Sequence, residues 1–412
     1  MTSSKRLPIK AGLIVLAYVA FIALGMPDGL LGVGWPSMRS GFQIPLDSLG
    51  MLMFACTAGY LTASFLSGAL LRKMGVGGLL AASCALTGLT LFGYTLVPVW
   101  WMMVVLGVFA GLGAGAIDAG LNTYVAANFT EGLMQWLHAS YGVGVTVGPL
   151  LMTLGITSFN TWHFGYRAVA IFQLLLAVSF LISIKMWGSK SGQQEENQTK
   201  KITEYKTSYR ETFKQPEVWI SMLLFLIYVG VEIGLGTWAY TLMTESPSRA
   251  IDPKIAGFWA GSFYALFTVG RILAGLYAKK LGVNTIVMMS ILGALTGAVL
   301  LWWNPVAIVS LIGIVLIGFA IAPIFPALVS GTSDRVSPRF AANTIGMQMS
   351  AAGLGGALLP TLMGILARRI SLEAIPVLLI VLLLILLSLY LFSIQRAKKI
   401  AMLKAADTLP AD

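Results

Sequence analysis

Gly68-Ala69-Leu70-Leu71-Arg72-Lys73-Met74-Gly75-Val76 returns 207 residues later as Gly275-Leu276-Tyr277-Ala278-Lys279-Lys280-Leu281-Gly282-Val283. Each copy is a basic, glycine-flanked turn between two long apolar runs. Gly111 to Leu121 aligns with Gly318 to Leu328 at the same offset of 207, and Gly142-x-Gly144-x-x-x-x-Pro149 with Gly353-x-Gly355-x-x-x-x-Pro360 at 211. Three matches in one order, at nearly one offset, mark two halves built alike.

The runs on either side of these turns say what the halves are made of. Of the 412 residues 57% are hydrophobic and only 10% charged, against about 25% charged in a soluble domain. The apolar residues gather in stretches of roughly 20 or more, the length a helix needs to cross a bilayer. Twelve spans are expected, at about 11–37, 48–71, 77–97, 100–127, 135–158, 166–187, 217–243, 255–278, 283–303, 305–331, 340–367 and 372–394. The first is too long for a signal-peptide core and carries an acid, so it is read as a membrane helix that is kept. The polar stretch 188–216 divides six spans from six.

The fold class expected is therefore an all-α membrane protein, twelve transmembrane helices in two parallel six-helix repeats. Residues 1–187 would form the N-terminal bundle, 188–216 a cytoplasmic linker, 217–394 the C-terminal bundle and 395–412 a cytoplasmic tail. Twelve is even, so both termini share one side. Placing them inside puts twenty Lys and Arg residues on that face and six on the other, with Arg271 inside a span; positive residues favour the cytoplasm. The localisation expected is the cell inner or plasma membrane, multi-pass, with both termini cytoplasmic. The net charge of +11 thus reports orientation, and no nucleic-acid partner is read from it. The partners expected are the lipid bilayer and a small-molecule substrate, with the protein a monomer.

Parallel repeats of this kind enclose a binding site near the bilayer midplane that rocking exposes to each side in turn. An ionisable group in a span is costly unless paired or wetted, so each raises a functional question. Asp28 lies 18 residues beyond Lys10, about 27 Å along a helix, with Trp35 two turns further on the same face. A hydrated or capping acid at the membrane surface is the alternative. Asp118 and Asn122, four apart, stack on one face beside Gly107, Gly111 and Gly115. Close helix packing explains those glycines and leaves the acid unexplained. Glu232 follows Tyr228 by one turn, and a hydrogen-bonded structural Glu is the other reading. Arg271 reads first as a structural or snorkelling cation. His138 is read as exposed or packing, with its ring able to join Asp118.

Other chemistries lack their parts. Two cysteines alone, Cys56 and Cys84, both within apolar runs, cannot supply a four-ligand zinc site or a disulfide framework, and with two histidines, no thiol pair in loops and no ordered His, Asp and Glu cluster an integral metalloenzyme is not expected. No P-loop is present to drive an ATP pump. The chain is read as no enzyme, with no metal and no cofactor.

The two turns resemble the signature loop of the major facilitator superfamily, Gly-x-Leu-x-Asp-Arg-x-Gly-Arg-Arg. Gly68, Leu70, Lys73 and Gly75 match it, as do Gly275, Lys280 and Gly282, while Arg72 and Lys279 stand where the acid belongs. These residues are the candidate gating loops. Asp118-Ala-Gly-Leu-Asn122-Thr123-Tyr124 resembles the Glu-x-x-x-Asn-Pro-Tyr segment of the fucose, galactose and glucose permeases. Leu137-His138-Ala-Ser-Tyr141-Gly142-Val-Gly144-x-x-x-Gly148-Pro149 is similar to their span 5 run, with Tyr141-Gly142 in place of Asn-Pro. Asp28 stands where that group has its span 1 acid. The resemblance implies the major facilitator fold and proton-coupled sugar symport.

On this reading Asp118, Asp28 and Glu232 are the proton-coupling candidates, and H⁺ is the coupling ion, with Na⁺ the open alternative. Desolvation tunes a carboxylate for loading and release of a proton. Asn122, Trp35, Trp238, Tyr141, Gln348 and His138 are the substrate-binding candidates, amides for sugar hydroxyls and indoles for the apolar ring face. Efflux of an amphipathic or cationic compound is the second transport reading. A non-transporting receptor or lipid-handling protein is the reading from another class.

Overall fold

The computed structural model of the protein describes residues 11–128, 131–187 and 207–407. Within these every long element is helical: α1 (Ala11–Phe42), α2 (Leu49–Tyr94), α3 (Trp100–Asn128), α4 (Glu131–Ser158), α5 (His163–Ser183), α6 (Tyr209–Thr212), α7 (Pro216–Glu245), α8 (Pro253–Leu281), α9 (Val283–Trp303), α10 (Ala307–Ile321), α11 (Ile324–Ser330), α12 (Thr332–Val336), α13 (Pro338–Arg369) and α14 (Ala374–Asp407). Most of the expected linker, 188–206, lies outside the described residues.

Eleven segments among the described residues are long and apolar enough to cross a membrane. The expected eighth span forms the 29-residue helix α8 but is not one of them; the side chains of 275–280 at its end lie outside the described residues. Expected spans 2 and 3 run together as α2, whose backbone turns at Gly75, with φ 69° and ψ 170°. Gly282, its counterpart in the repeat, sits between α8 and α9 with φ 73° and ψ 153°. That region is all but closed to residues with a Cβ, so the glycine in each loop is a requirement of the turn. Expected span 10 breaks into α10 and α11 around Pro323, since proline supplies no N–H to the helical ladder.

Two compact units emerge, one of residues 1–195 with 252–265, the other of 196–251 with 266–412. In the first, α1 packs on α4, and α2 on α3 and α5; in the second, α7 packs on α13, and α9 on α10 and α14. Small residues let the backbones approach. A Cβ at Gly144 or Gly148 of α4 would run into α1 at Ile22 or Met26, and one at Gly111 or Gly115 of α3 would run into α2 at Cys56 or Tyr60. Both cysteines are free, Cys84 buried and Cys56 half-buried. Large apolar side chains such as Phe65, 90% exposed, and Ile182, 81% exposed, form the outward surface that lipid requires.

Candidate functional site

The close approach of α1 to α4 also places a hydroxyl. Gly25 and Gly29 of α1 meet Tyr141, Val145 and Pro149 of α4, and the Tyr141 hydroxyl donates to Asp28 Oδ2 at 2.6 Å. Asp28 is exposed although it lies well within the 32-residue helix. The contact of α3 with α2 does the same for the second acid. Gly111 and Gly115 fit against the Cys56–Tyr60 backbone, and the Tyr60 hydroxyl donates to Asp118 Oδ2. Asn122 Nδ2 donates to Asp118 Oδ1 at 2.8 Å. The charge of Asp118 reaches Asp28, and that of His138 reaches Asp118. His138 is exposed, with its ring edge-on to Phe21 at 5.8 Å.

The first unit thus gathers Asp28, Asp118, Asn122, Tyr141 and His138, and adds Tyr60. The sequence offered a signal for Tyr60: it follows Gly59, which a Cβ would drive into the Val108 carbonyl. Pairing Gly59 with the Gly107, Gly111 and Gly115 stripe of α3 places the tyrosine beside Asp118. The packing account of those glycines and the functional account of the acid are one geometry. Carboxylates gripped by phenolic O–H groups accept charge-assisted bonds, and protonation of either acid changes what that network can donate.

The tryptophans stand elsewhere. Trp35 is fully buried, its ring 5.5 Å from that of Trp100, and its indole N–H donates to the Leu46 carbonyl at 3.1 Å. Trp238 is also buried, with its N–H on the Pro360 carbonyl at 2.8 Å. Gln348 is fully buried and donates to Ser221 Oγ at 2.5 Å and Thr332 Oγ1 at 3.1 Å, which ties α13 to α7 and α12. These three side chains are engaged inside the units by those bonds.

In the second unit Glu232 is half-buried and feels the charge of Arg271. Arg271 lies over the Phe267 ring at 4.3 Å and donates to the Ala322 carbonyl at 3.4 Å. Lys73 is exposed; the side chains of Gly68, Arg72, Gly275, Lys279 and Lys280 lie outside the described residues. No group of three or more His, Cys, Asp or Glu suited to a metal occurs among the described residues.

A twice-repeated bundle of membrane-length helices with acids held in one half defines a secondary carrier of the major facilitator type. The Major Facilitator Superfamily model matches residues 17–342 and 242–406, and the chain belongs to that family. It is a transporter and not an enzyme. It is similar to the glucose/mannose transporter GlcP of Bacillus subtilis (strain 168), 23% identical over 363 residues covering 86% of this chain and 87% of that one. It is likewise similar to sodium-dependent glucose transporter 1 of Homo sapiens, 23% identical over 385 residues, covering 84% and 72%. Among solved structures, a bacterial homologue of the human lysosomal transporter Spinster, inward-facing and occupied, superposes with a TM-score of 0.75 at 12% identity, covering 94% of this chain and 97% of that one. At that identity the likeness is of fold.

Proposed function

We propose that this carrier takes up a neutral sugar by alternating access, driven by protons that load on Asp118 and Asp28. The observation that carries the reading is the pair of tyrosine-held carboxylates inside the first unit. An acid within a membrane span of a carrier is useful when it changes charge during the cycle. The tyrosine bonds keep each carboxyl oriented through that change, so loading a proton alters the electrostatics with little movement of the side chain. Asn122, already bonded to Asp118, is placed to pass the protonation state on to a solute hydroxyl. The glucose and mannose in the names of the similar proteins set the substrate class to test first. The carrier sits in the plasma membrane as a monomer with both termini in the cytoplasm.

Sodium is the second reading, favoured by the words sodium-dependent in the name of the human relative. One experiment separates the two. Proteoliposomes holding the purified carrier receive D-glucose, D-mannose and L-fucose under an inward proton gradient, an inward sodium gradient, or neither. Uphill uptake with protons alone supports the proposal, and uphill uptake with sodium alone replaces the ion. Expulsion of a lipophilic cation with no sugar flux would replace uptake by efflux.

A further inference from the structure

The packing of the two units gives a closer alignment of the repeats than the sequence does. Gly144 of α4 meets the Ile22 carbonyl of α1, and Gly355 of α13 meets the Leu226 carbonyl of α7 in the same way. Ile22 and Leu226 differ by 204, and that shift carries Asp28 onto Glu232. Neighbouring contacts agree. Gly25 and Gly29 of α1 receive Val145 of α4, while Gly356 of α13 receives Val229 and Ile233 of α7. Large and small side chains have changed helices with the contact kept.

The acids at these matched positions have different company. The counterpart of Tyr141 is Ala352, so α13 offers Glu232 no hydroxyl. Phe325 stands for Asp118 and Phe267 for Tyr60 at the 207 offset, so the second unit has no matching second acid. Glu232 instead has Arg271, which stands for Ser64, and Tyr228 one turn before it. Tyr228 is fully buried, with the Phe325 ring 6.2 Å from its own. Its hydroxyl makes no hydrogen bond of ordinary length among the described residues, but it lies close enough to Glu232 and Arg271 to interact with both, by charge and by weak hydrogen bonding. No direct ion pair closes Glu232 onto Arg271 among the described residues. Three polar groups therefore face one another without a hydrogen bond of ordinary length at the buried hydroxyl, a loosely satisfied cluster that calls for an explanation.

We propose that Tyr228, Glu232 and Arg271 form the subsite that recognises adjacent hydroxyls of a neutral polyhydroxylated solute, separate from the ion-coupling acids of the first unit. The proposal rests on the sugar reading above. Its chemistry is matched: a solute hydroxyl donates to the Glu232 carboxylate and accepts from Arg271, and its neighbour pairs with the Tyr228 hydroxyl. Glutamate and arginine sum to zero charge, so the group suits an uncharged solute.

The test uses the full-length carrier in nanodiscs and measures binding of D-glucose and its monodeoxy analogues. Glu232→Gln should weaken glucose binding about tenfold or more, the usual cost of a lost hydrogen bond to a charged group. Tyr228→Phe removes one oxygen that makes no hydrogen bond of ordinary length in the fold, so the protein is expected to stay folded. In that variant, discrimination against one monodeoxy analogue should vanish while the other analogues keep their order. In proteoliposomes the half-saturating glucose concentration of Glu232→Gln should rise, with the pH of half-maximal uptake where the wild type has it. Wild-type affinity for the whole series in both variants overturns the subsite alone. Retained affinity with lost proton-driven accumulation in Glu232→Gln overturns it in favour of ion coupling. A wild-type carrier that binds no sugar overturns the sugar reading and the subsite with it.

Discussion

Asp118 accepts from Tyr60 and Asn122 at once, so an amide in its place keeps the volume and one acceptor but carries no proton. Asp118→Asn is expected to lose uphill accumulation while equilibrium exchange of labelled sugar persists; undiminished accumulation at acidic outer pH would remove it as the carrier. Trp35 behaves as a core residue. With no exposure and its N–H spent on Leu46, Trp35→Ala should cost about 3 kcal/mol or more in stability, read as a lower Tm of the detergent-solubilised protein. A variant that keeps its Tm and loses only sugar affinity would return Trp35 to the binding site. At the loop before α14, burial raises the Glu373 carboxyl, but bonds from Ser246 and Ser248 and the Arg249 charge outweigh it and hold the group below its ordinary value. Arg249 is itself buried and also donates to the Leu301 carbonyl at 2.7 Å. A depressed carboxyl stabilises the fold above its unfolded pKa, about 4.3, and that contribution fades as pH falls through the lower folded value. Glu373→Gln should therefore melt below the wild type at pH 7, and the gap should close below about pH 4; a constant gap would show that charge is not the cause.

Helices carried the part of the fold that was easiest to read, because a run of about 20 apolar residues has few other fates. Most expected spans differ from the observed helices by a few residues, as with 283–303 and Val283–Trp303. The break between α10 and α11 was harder, because Pro323 and Pro326 sit in an apolar run whose composition does not change. The site was legible in its acids and not in their holders. Asp28 and Asp118 stand out as charges among apolar residues, whereas Tyr60 is one of 13 tyrosines and becomes informative only once α2 is laid into the glycine groove of α3. The burial of Trp35 against Trp100 was not legible for the same reason, since it depends on packing that spacing along one helix cannot show. Gly75 is the element-scale test. A Cβ there meets nothing within 4 Å, yet the backbone has φ 69°, so any cost of Gly75→Ala comes from backbone strain, about 1–3 kcal/mol. Gly282→Ala should cost the same by the same measurement of Tm, and Gly78→Ala, where a Cβ meets nothing closer than 3.5 Å on a helical backbone, should cost little. Equal losses at all three positions would remove the special turn as the reason for the repeat.

Over the whole molecule the two halves keep one packing scheme and differ in charge. Gly144 and Gly355 lie against matching points of α1 and α7, but one half carries two acids under tyrosines and the other an acid with an arginine. A duplicated fold lets its halves diverge in this manner, since a contact survives when large and small residues trade places and a polar group is free to change once the contact is safe. The proposed orientation rests on the sequence. With six spans to each half, the turns after even-numbered spans are expected on the side of both termini, which then carries twenty Lys and Arg residues against six, the bias expected of a cytoplasmic face. Reporter fusions after residues 200 and 405 should both report cytoplasm, and a fusion after residue 250, between α7 and α8, should report the opposite face. A cytoplasmic signal at both 200 and 250 would mean that α7 does not cross, external signals at both 200 and 405 would reverse the orientation, and opposite signals at 200 and 405 would leave an odd number of crossings between them, which a six-span unit cannot have.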